Sequence, residues 1–449
     1  MGWDSTFGER VANRDLTIGV VGLGYVGLPT ALGFLDAGFR VRGVDVSTRV
    51  IDCLRQGENP GDDPQHDDII PKEESEHWKV AMTAGEVVAD CDVVLITVPT
   101  PITSDHRPDL TFVESAGAAV FDAIPRGSRT IVVLESTVYP GVTREVWGPL
   151  INQRDIVEGD DIELAYCPER FVPGDPLHGV RQVPRVVGAM DTAVGEDLAS
   201  LYDTLTTGGV TYVGAIEVAE AAKVVENVQR DLNIALVNEL ARIFPKMGLD
   251  VEDVLDAAAT KWNFHRYRPG LGVGGHCIPV DPYYLIQKAT EAGAPAELIS
   301  AARAVNHSMP TNVASDIVSI LVSHGIRPTE AKLLLLGWAY KPLVGDARET
   351  PAEPLTRSLS TSGVEVVTYD PYVEHWDGNE SLANPISSLA EAEGFDIVVL
   401  CTAHPEFLSL NWDELANLAR NKLVYDGRRV LDASALTSAG WSVHLLGAP

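Results

Sequence analysis

The pattern of apolar and polar positions divides the chain into three successive regions. Up to about residue 212, short apolar runs of roughly four to six residues alternate with amphipathic stretches, which is the pattern of buried parallel strands separated by helices. Residues 214–247 form one long helical pattern, and residues 251–259 form a second. After a helical stretch near residues 311–324, strand-like runs return. The chain therefore predicts an α/β fold with a mostly helical region in its middle.

The first apolar run leads into a glycine-rich turn. The segment "LTIGVVGLGYVGLPTALGFLDAGFRVRGVDVS" reads as strand, tight turn, helix and strand. Gly22 permits the turn, Gly24 lets a pyrophosphate approach the backbone, and Gly27 allows the helix to pack closely. Asp45 is placed to accept a hydrogen bond from a ribose 2′-hydroxyl and to repel a 2′-phosphate. The pattern indicates a Rossmann-like domain that binds NAD rather than NADP.

Small polar residues or prolines follow the later strands of this region, as they do where strand ends form a ligand crevice. These strand-like runs fall in residues 91–101, 128–141, 163–174 and 185–190. The pattern places Thr100, Ser136 and Thr137 at the level of the cofactor. The alternative for the last two is that they only cap the helix that follows.

The last third of the chain repeats the alternation of strands and helices without a second GxGxxG signature. Its strand-like runs lie in residues 331–342, 364–373, 395–404 and 422–432. We therefore predict a second Rossmann-like domain that binds something other than a dinucleotide, such as the substrate. The predicted domains span residues 1–212, 213–308 and 309–449. A long helix like that of the middle region often buries one face against a twin subunit, so we expect a homodimer.

Composition narrows the choice of partner. The chain has 64 acidic and 34 basic residues, a formal net charge of −30, and only nine of the basic residues are lysine. A nucleic-acid-binding protein carries the opposite sign on at least one face, so we expect no such partner. An acidic, lysine-poor surface stays soluble in high salt, and we expect a halophilic host. No run approaches the roughly 18 apolar residues of a membrane span, and the start "MGWDSTFGERVANRD" lacks the features of a secretory signal. We expect a cytoplasmic location and no membrane association.

One of the five cysteines differs from the others. All five are spaced singly with no CxxC pair, which predicts reduced thiols and neither a disulfide framework nor a metal site. Cys277 lies in "RYRPGLGVGGHCIPVDPYYL", behind four glycines, whereas Cys91 and Cys401 lie in apolar runs. Glycines let a ligand approach the backbone and let the thiol project into a cleft. Cys277 is therefore either a nucleophile or a structural residue.

Several charged and polar residues have both a functional and a structural interpretation. Asp281, followed by proline, has the pattern of a helix N-cap. Lys223 and Asn227 stand four apart in the long helical pattern and so share one face, which is either functional or a solvated stripe. Glu169 and Arg170 follow an apolar run, so their charges require partners.

Seven motifs in order along the chain resemble the UDP-glucose/GDP-mannose dehydrogenase family. They are "GLGYVGLP", "VPTP", "STVYPG", "CPERFVPG", "EAAKVVENVQRDLNIALVNE", "PGLGVGGHCIPVDPYYL" and "LGWAYKPLVGDARETPA". The resemblance implies an N-terminal NAD-binding and a C-terminal UDP-binding domain. It implies oxidation of a sugar CH₂OH to a carboxylate by two hydride transfers to NAD. The Cys277 thiolate would attack the intermediate aldehyde to give a thiohemiacetal and then a thioester, which water hydrolyses.

The resemblance also implies roles for individual residues. Lys223 stabilises oxyanions at C6 with Asn227 beside it, and Asp281 orients the lysine or activates water. Thr137 holds a catalytic water, and Glu169 is a base in thioester hydrolysis. The implied cofactor contacts beyond the three glycines and Asp45 are Tyr25, Val26, Arg49, Thr100, Ser136, Thr137 and Arg348. The implied substrate contacts are Glu169, Arg170, Phe171, Lys223, Asn227, Arg230, Gly274, Tyr340, Lys341 and Arg348.

Two departures from the UDP-glucose enzymes favour a substrate with an N-acetylated sugar. Those enzymes typically carry a lysine where this chain has Val280 and a second glutamate where it has Pro173. "CPERFVPG" and "PVDPYYL" look most like the UDP-N-acetylmannosamine type. Lys261 and Asn263 stand where that type often carries other polar or basic residues. UDP-N-acetylglucosamine and UDP-glucose therefore remain alternatives.

Two further interpretations stay open. An ordinary two-electron NAD-dependent alcohol or hydroxy-acid dehydrogenase with a structural Cys277 would yield one NADH per substrate. A non-catalytic nucleotide-binding protein would yield none, and the presence of Lys223, Cys277 and Asp281 together argues against it.

Overall fold

The computed structural model describes residues 4, 6–61, 69–103, 105–171, 177–376 and 378–449. Pro173 lies outside these residues. The chain divides into two compact units, of which the first comprises Met1–Glu226 with Tyr283–Ala294 and the second Asn227–Pro282 with Pro295–Pro449. None of the described helices combines the length and the apolar content that a bilayer crossing requires.

The first unit is built on one sheet. Its strands are β1 (Thr17–Val21), β2 (Arg40–Val44), β3 (Trp78–Ala81), β4 (Val93–Ile96), β5 (Thr130–Leu134), β6 (Ile162–Tyr166), β7 (Arg185–Ala189) and β8 (Val210–Tyr212). Over the described residues, eight strands pair in the order β3-β2-β1-β4-β5-β6-β7-β8. The register aligns Ile18 of β1 with Val41 on one side and Val93 on the other. β1 and β4 lie beside each other, so their C-terminal ends meet at one edge of the sheet.

Helices cover both faces of this sheet. They are α1 (Phe7–Asn13), α2 (Gly27–Asp36), α3 (Thr48–Arg55), α4 (Thr111–Ala123), α5 (Val142–Asn152) and α6 (Thr192–Asp203). Ile18 and Val20 of β1 belong to the core on one face, whereas Val21 belongs to the core on the other. Because successive side chains of a strand point to opposite faces, a strand covered on both sides is apolar at every position. This accounts for the continuous apolar runs in the sequence.

The helices of the middle region are α7 (Ile216–Ile243), α8 (Val251–Ala259), α9 (Asp281–Glu291) and α10 (Glu297–Ser323). The first two follow the predicted helical patterns closely. α10 begins well before the predicted start near residue 311. The prediction started there because a proline usually marks a helix start or break, but Pro310 lies inside this helix.

The second unit contains a smaller parallel sheet. Its strands are β9 (Lys332–Leu336), β10 (Glu365–Tyr369), β11 (Phe395–Leu400), β12 (Ala419–Asp426) and β13 (Ser442–Leu445). Counted over the residues that the structure describes, the order is β10-β9-β11-β12-β13. The remaining helices are α11 (Ala352–Thr361), α12 (Glu380–Ala383), α13 (Pro405–Leu408), α14 (Trp412–Leu418) and α15 (Ala433–Ser438). Along β9, Leu333 and Leu335 enter one core while Leu334 and Leu336 enter the other.

The predicted α/β class with two Rossmann-like sheets and a long helix is confirmed. One detail differs: β7 pairs antiparallel with β6, through Ala165 opposite Ala189, whereas successive strand–helix units predict a parallel pair. The domain boundaries at residues 212 and 308 stay a prediction.

Candidate active site

The turn after β1 is formed by glycines that the protein's own backbone requires. Gly22 has a φ of +94°, in the left-handed region. The Thr97 hydroxyl, just after β4, donates to the Gly22 carbonyl at 2.6 Å. A Cβ on Gly27, the first residue of α2, would lie 1.8 Å from the same carbonyl oxygen. A Cβ on Gly24 would meet no described protein atom within 4 Å. Gly22 and Gly27 therefore fix the turn, and Gly24 leaves its outer side open to a ligand.

Asp45 follows β2 beside this turn. One carboxylate oxygen accepts from the Leu23 N–H and the other from the Ser47 N–H, both at 2.8 Å. A carboxylate oxygen has two lone pairs, and Asp45 is half-exposed, so each oxygen retains capacity for a second donor. The first N–H groups of α2 have no acceptor within their helix. Donors for a pyrophosphate and an acceptor for a ribose hydroxyl thus lie side by side, which fits NAD.

Three further predicted cofactor residues lie around this turn. Tyr25 and Val26 lie between the glycines, and Tyr25 is 42% exposed. Arg49 is exposed in the first turn of α3.

The strand-end hydroxyls do not cap a helix. α5 begins at Val142 with Gly141 as its N-cap, several residues after Ser136 and Thr137. The Ser136 hydroxyl instead donates to the Val98 carbonyl at 2.7 Å, and Thr137 is half-buried. The capping alternative is therefore wrong.

Thr100 is held by a residue that the sequence did not single out. The Tyr284 hydroxyl, in α9, donates to the Thr100 carbonyl at 2.7 Å. Tyr284 is fully buried. A tyrosine in an apolar helical stretch looks like a core residue, so the sequence carried no signal of this contact.

Lys223 and Glu169 lie together in the first unit. The Lys223 ammonium donates to the Glu169 carbonyl at 2.5 Å and lies 3.6 Å from its carboxylate. Both side chains are largely buried, with 7% and 13% exposed. Arg170 forms a two-point ion pair with Glu226, at 2.7 and 3.2 Å. The two charges beside the apolar run thus have the partners that the sequence required. Phe171, the next residue, is buried.

A buried ion pair lies at the end of β5, directly before Ser136 and Thr137 in the chain. Glu135, which directly precedes Ser136, has its carboxylate 3.5 Å from the Arg185 guanidinium, and both side chains are fully buried. The Tyr202 hydroxyl donates to the same carboxylate. Burial raises the pKa of Glu135, although Arg185 and Tyr202 oppose the rise. The sequence reasoning missed this cluster, and its signal was an acidic residue at the end of an apolar run.

In the second unit, the glycines before Cys277 are packed against protein. A Cβ on Gly274 would lie 2.8 Å from both the Glu349 carbonyl oxygen and the Tyr340 Cβ. Gly275, with a φ of +88°, has its backbone against the Tyr340 ring. The expectation that these glycines serve ligand approach therefore needs correction, because the loop after β9 already occupies that side of their backbone.

Cys277 lies one turn before α9. Its carbonyl accepts from the N–H groups of Val280 at 3.0 Å and Asp281 at 2.8 Å, and the residue is half-buried. The Asn227 side chain donates to the Asp281 carboxylate at 2.5 Å, and both residues are buried. Asp281 is thus the first helical residue with a carboxylate bound to α7, rather than only a cap. Asn227 is not part of a solvated stripe.

The remaining predicted substrate residues of the second unit differ in their contacts. Arg348 pairs with Asp346 at 2.6 Å and donates to the His276 ring at 3.2 Å. Lys341 is half-buried. Arg230 is exposed on α7 and has no ion pair with another described residue. In the described part of the chain, no cluster of three or more His, Cys, Asp or Glu side chains is arranged to hold a metal ion.

Comparison with known proteins assigns the chain. Three family models match consecutive regions: the NAD binding domain of the UDP-glucose/GDP-mannose dehydrogenase family at residues 16–206, its central domain at 217–308 and its UDP binding domain at 334–433. The chain belongs to the UDP-glucose/GDP-mannose dehydrogenase family. It is therefore an NAD-dependent nucleotide-sugar dehydrogenase, and the predicted cofactor and enzyme class are confirmed.

Individual family members resemble the chain over nearly its full length. The UDP-N-acetyl-D-glucosamine 6-dehydrogenase of Pseudomonas aeruginosa is 38% identical over 93% of this chain and 98% of its own. The UDP-N-acetyl-D-mannosamine dehydrogenase of Pyrococcus horikoshii is 35% identical over 93% of this chain and 96% of its own. A solved structure of the Pyrococcus horikoshii enzyme superposes with a TM-score of 0.87 over 96% of this chain and 99% of that one, at 34% identity. The roles of individual residues in this chain stay predictions.

Proposed function

We propose that the protein oxidises the C6 hydroxymethyl group of a UDP-N-acetylhexosamine to a carboxylate, with Cys277 as the nucleophile of the second oxidation. The observation that carries the proposal is the contrast between Cys277 and three other thiols. Burial raises the pKa of Cys91 and Cys167 to about 12 and that of Cys401 to about 11. Cys277 is instead half-buried and lies one turn before α9, so it lacks the full burial of those three thiols.

The proposed chemistry balances as two oxidations and one hydrolysis. NAD⁺ supplies the hydride acceptor for both oxidations. The alcohol loses a proton and a hydride to become an aldehyde, and the Cys277 sulfur bonds to C6 to give a thiohemiacetal. Loss of a second hydride and the hydroxyl proton gives a thioester. Water attacks the thioester, the C–S bond breaks, and the carboxylate and thiol are released. One sugar and one water thus yield two NADH and three protons.

Lys223 and Glu169 suit the charge changes in this sequence. The buried ammonium beside the Glu169 carbonyl is a fixed positive charge, and we assign it to the oxyanion that develops at C6. Glu169 is assigned as the base that accepts a proton from water during hydrolysis, with Thr137 holding that water. Asp281 is assigned to orienting the lysine or activating water, and Asn227, beside Lys223 on α7, donates to the Asp281 carboxylate.

Two N-acetylated sugars compete as the substrate. The UDP-N-acetyl-D-mannosamine dehydrogenase of Pyrococcus horikoshii supports the mannosamine form through its TM-score of 0.87. The Pseudomonas aeruginosa relative, 38% identical, supports the glucosamine form. We propose UDP-N-acetylmannosamine as the substrate and keep UDP-N-acetylglucosamine as the second candidate.

The test counts NADH per sugar. UDP-N-acetylmannosamine, UDP-N-acetylglucosamine and UDP-glucose are each offered in limiting amounts with excess NAD⁺, at low and at molar salt. We expect two NADH per UDP-N-acetylmannosamine. Cys277→Ser is expected to lose more than about 99% of this turnover, because the thioester route requires the sulfur. Cys53→Ser, which replaces the other half-buried thiol, serves as the control and is expected to retain it. A stoichiometry of two in Cys277→Ser would overturn the thioester route, and one NADH per sugar in the wild type would indicate an ordinary dehydrogenase.

We further infer that the protein is a cytoplasmic homodimer from a halophilic host. Support for the dimer comes from exposed apolar side chains in the C-terminal half of α7 and just after it: Leu236 at 53%, Ile243 at 43% and Met247 at 63%. The charge of −30 supports the salt adaptation. Light scattering gives the mass in solution, where a monomer at micromolar concentration contradicts the dimer. A melting temperature that does not rise between low and molar NaCl contradicts the halophilic host.

A further inference from the structure

A chain of buried polar side chains links α7 and α10 to the segment that carries Cys277. The Gly270 N–H donates to the Asn238 side chain at 2.9 Å, and Asn238 donates to Asn306 at 2.8 Å. Asn306 donates to the Asp231 carboxylate at 2.8 Å, and Arg303 donates to the same carboxylate at 2.5 Å. Asp231, Asn238 and Asn306 are each at most 1% exposed. The network therefore reaches the backbone at the start of the glycine-rich segment.

The groups at the two ends of this hydrogen-bond network fix the orientation of its two amides. A backbone N–H only donates, so the Asn238 carbonyl oxygen must face Gly270 and its amide nitrogen must face Asn306. The Asp231 backbone carbonyl only accepts and lies 3.0 Å from the Asn306 nitrogen, so this nitrogen must face Asp231. Each amide thus uses its nitrogen as donor and its oxygen as acceptor on defined partners, and the Asn306 nitrogen donates to both the carboxylate and the backbone carbonyl of Asp231. Neither asparagine side chain can rotate by half a turn without losing both contacts.

The segment is bound to α7 at two points. Gly270 is bound by Asn238, and Asp281 is bound by Asn227. Asn227 and Asn238 are eleven residues apart, which is about 16 Å along a helix. Gly270 and Asp281 are also eleven residues apart, and an extended chain of that length would span about 36 Å or more. The segment must therefore curve between its two attachments, and Cys277 lies in the curved part.

Glycine conformations produce this curvature. Gly272 has a φ of +150° and Gly275 a φ of +88°. A Cβ on Gly272 would lie 3.1 Å from the Pro351 Cβ and 3.2 Å from Pro310 of α10. The Gly275 N–H donates to the Arg348 carbonyl at 3.1 Å. Both sides of the curve are thus supported, and the Asn238 contact sets where it begins.

Anchoring the segment with buried polar groups costs desolvation free energy that an apolar contact would avoid. Buried amides and carboxylates stabilise a fold little over well-packed apolar side chains, but their directional bonds select one arrangement of the backbone. An apolar contact would allow the segment to shift along α7. A hydrogen bond from a single N–H does not.

We propose that Asn238 is a positioning residue for the oxidation: together with Asn227 it clamps residues 270–281 to α7 so that the Cys277 sulfur meets the aldehyde before the aldehyde escapes. The proposal rests on the proposed function. The first hydride transfer involves no sulfur, so the clamp acts on the second oxidation. Loss of the Asn238 contact is expected to leave aldehyde formation intact and to slow its capture.

Aldehyde trapping separates these two steps. The wild type and Asn238→Ala are assayed with limiting UDP-N-acetylmannosamine, excess NAD⁺ and hydroxylamine, which converts aldehyde to an oxime. We expect close to two NADH per sugar in the wild type and a value approaching one in Asn238→Ala. We also expect kcat to fall about tenfold without hydroxylamine, since misplacement of a reacting group by about 1 Å has effects of this order or larger. Hydrogen exchange of the amides in residues 270–277 is expected to accelerate in the variant.

The control removes a similarly buried acceptor elsewhere in the same unit. Asp396, 2% exposed, accepts the Lys332 N–H at 2.9 Å at the start of β9. Asp396→Ala is expected to lower the melting temperature while it keeps two NADH per sugar with the trap. If Asn238→Ala does not fold, Asn238→Leu preserves the volume without the acceptor and is expected to show the same trapping. Asn238→Asp, whose buried acid in its protonated form offers the same acceptor and donor, is expected to restore two.

The outcomes are distinct. Two NADH per sugar from a folded Asn238→Ala or Asn238→Leu in hydroxylamine would overturn the positioning role, even if exchange accelerates. Unchanged exchange in residues 270–277 would overturn the clamp. If none of the UDP-sugars is oxidised by the wild type, the proposed function fails, whereas the exchange measurement still tests the clamp because it needs no sugar.

Discussion

The turns that follow β1 and β9 are built alike in the two units. Gly22 and Gly337 follow these strands with φ values of +94° and +93°. Each turn is held by a threonine that follows a neighbouring strand: Thr97 donates to the Gly22 carbonyl at 2.6 Å, and Thr402 donates to the Ala339 carbonyl at 2.5 Å. In both sheets a glycine with positive φ therefore follows the strand and a threonine hydroxyl holds the turn, although only the first turn carries the GxGxxG signature.

The acidic residue beside each turn shows where the two differ. Asp45 follows β2 and accepts one backbone N–H on each carboxylate oxygen. Asp370 follows β10, and its carboxylate accepts from the N–H groups of Trp338 at 2.7 Å, Ala339 at 2.9 Å, Tyr372 at 2.9 Å and Val373 at 3.2 Å, and from the His404 ring at 3.1 Å. Asp370 is fully committed to the fold, whereas Asp45 has acceptor capacity left for a ligand. The same residue type at matching positions is therefore structural in one unit and available for binding in the other.

The lengths of the connections explain this division. α2 begins at Gly27, five residues after Gly22, so its N-terminus lies directly at the turn. α11 begins at Ala352, fifteen residues after Gly337, and the loop between them carries Tyr340, Lys341 and Arg348. We therefore expect the first unit to present backbone N–H groups to its ligand and the second to present side chains. A shared fold thus does not transfer a shared ligand.

The largest predicted effect concerns the close approach within the first turn. Gly27→Ala places a methyl group 1.8 Å from the Gly22 carbonyl oxygen and 2.4 Å from the Thr97 hydroxyl, so the turn must open. We expect kcat/KM for NAD⁺ to fall about 100-fold or more. Gly148→Ala, also a helical glycine of the first unit but with no atom near the new Cβ, is the control. Steady-state kinetics with varied NAD⁺ measure both. Equal kinetics in the two variants would show that the turn is not a cofactor contact.

The next effect separates Asp370 from Asp45. Asp370→Asn leaves buried N–H groups short of acceptors and is expected to lower the free energy of unfolding by about 2–4 kcal/mol. Asp45→Asn is expected to change stability by less than about 1 kcal/mol and to raise KM for NAD⁺ about tenfold. Urea unfolding and NAD⁺ kinetics measure these effects. The opposite assignment, with Asp45→Asn as the unstable variant, would contradict the comparison.

The pH dependence of the free energy of unfolding gives a second test of the role of Asp370. Burial raises the pKa of Asp370, but His404 and the backbone N–H groups more than offset this and hold it below its usual value. A carboxyl with a lowered pKa in the folded state contributes stability above its unfolded pKa, near 4, and loses it as the pH falls through the folded value. The stability difference between the wild type and Asp370→Asn is therefore expected to shrink below about pH 4. A difference that stays constant down to pH 2 would exclude this carboxylate as its source.

The smallest effect distinguishes the two threonines. Thr97→Val and Thr402→Val each remove one hydroxyl donor and are expected to cost about 1 kcal/mol of unfolding free energy. Only Thr97→Val is expected to raise KM for NAD⁺, by about threefold, or roughly 0.6 kcal/mol. Thermal unfolding and kinetics on both variants test this. A comparable rise in Thr402→Val would show that the NAD⁺ effect follows general destabilisation.

The sequence predicted those elements whose patterns are strong and local. The apolar runs of β1, β4, β5, β9 and β11 are buried on both faces, so their strands were evident. β3, β8 and β13 were missed: each has only three or four residues, and β8 and β13 are also only partly buried and so lack an apolar run. The true start of α10 was missed because a proline inside a helix cannot be distinguished by sequence from one at its start.

The candidate site was predictable in its residue types and not in its contacts. The partners of Glu169 and Arg170 were expected, but Lys223 and Glu226, which lie more than 50 residues away in the chain, were not identified as those partners. The glycines before Cys277 were seen, yet their packing against Tyr340 depends on a loop far along the sequence. Contacts between distant segments leave no periodic signal in a single chain. The buried pair of Glu135 and Arg185 was missed for the same reason.

The deep burial of Cys91, Cys167 and Cys401 has a practical consequence. A thiol that stays protonated near neutral pH and cannot be reached by solvent resists alkylating reagents and peroxide. In a Cys53→Ser background, electrophilic probes would therefore modify the folded protein at Cys277 alone. A fluorophore attached there would report on the proposed nucleophile, and oxidation of this variant would be expected at that one sulfur.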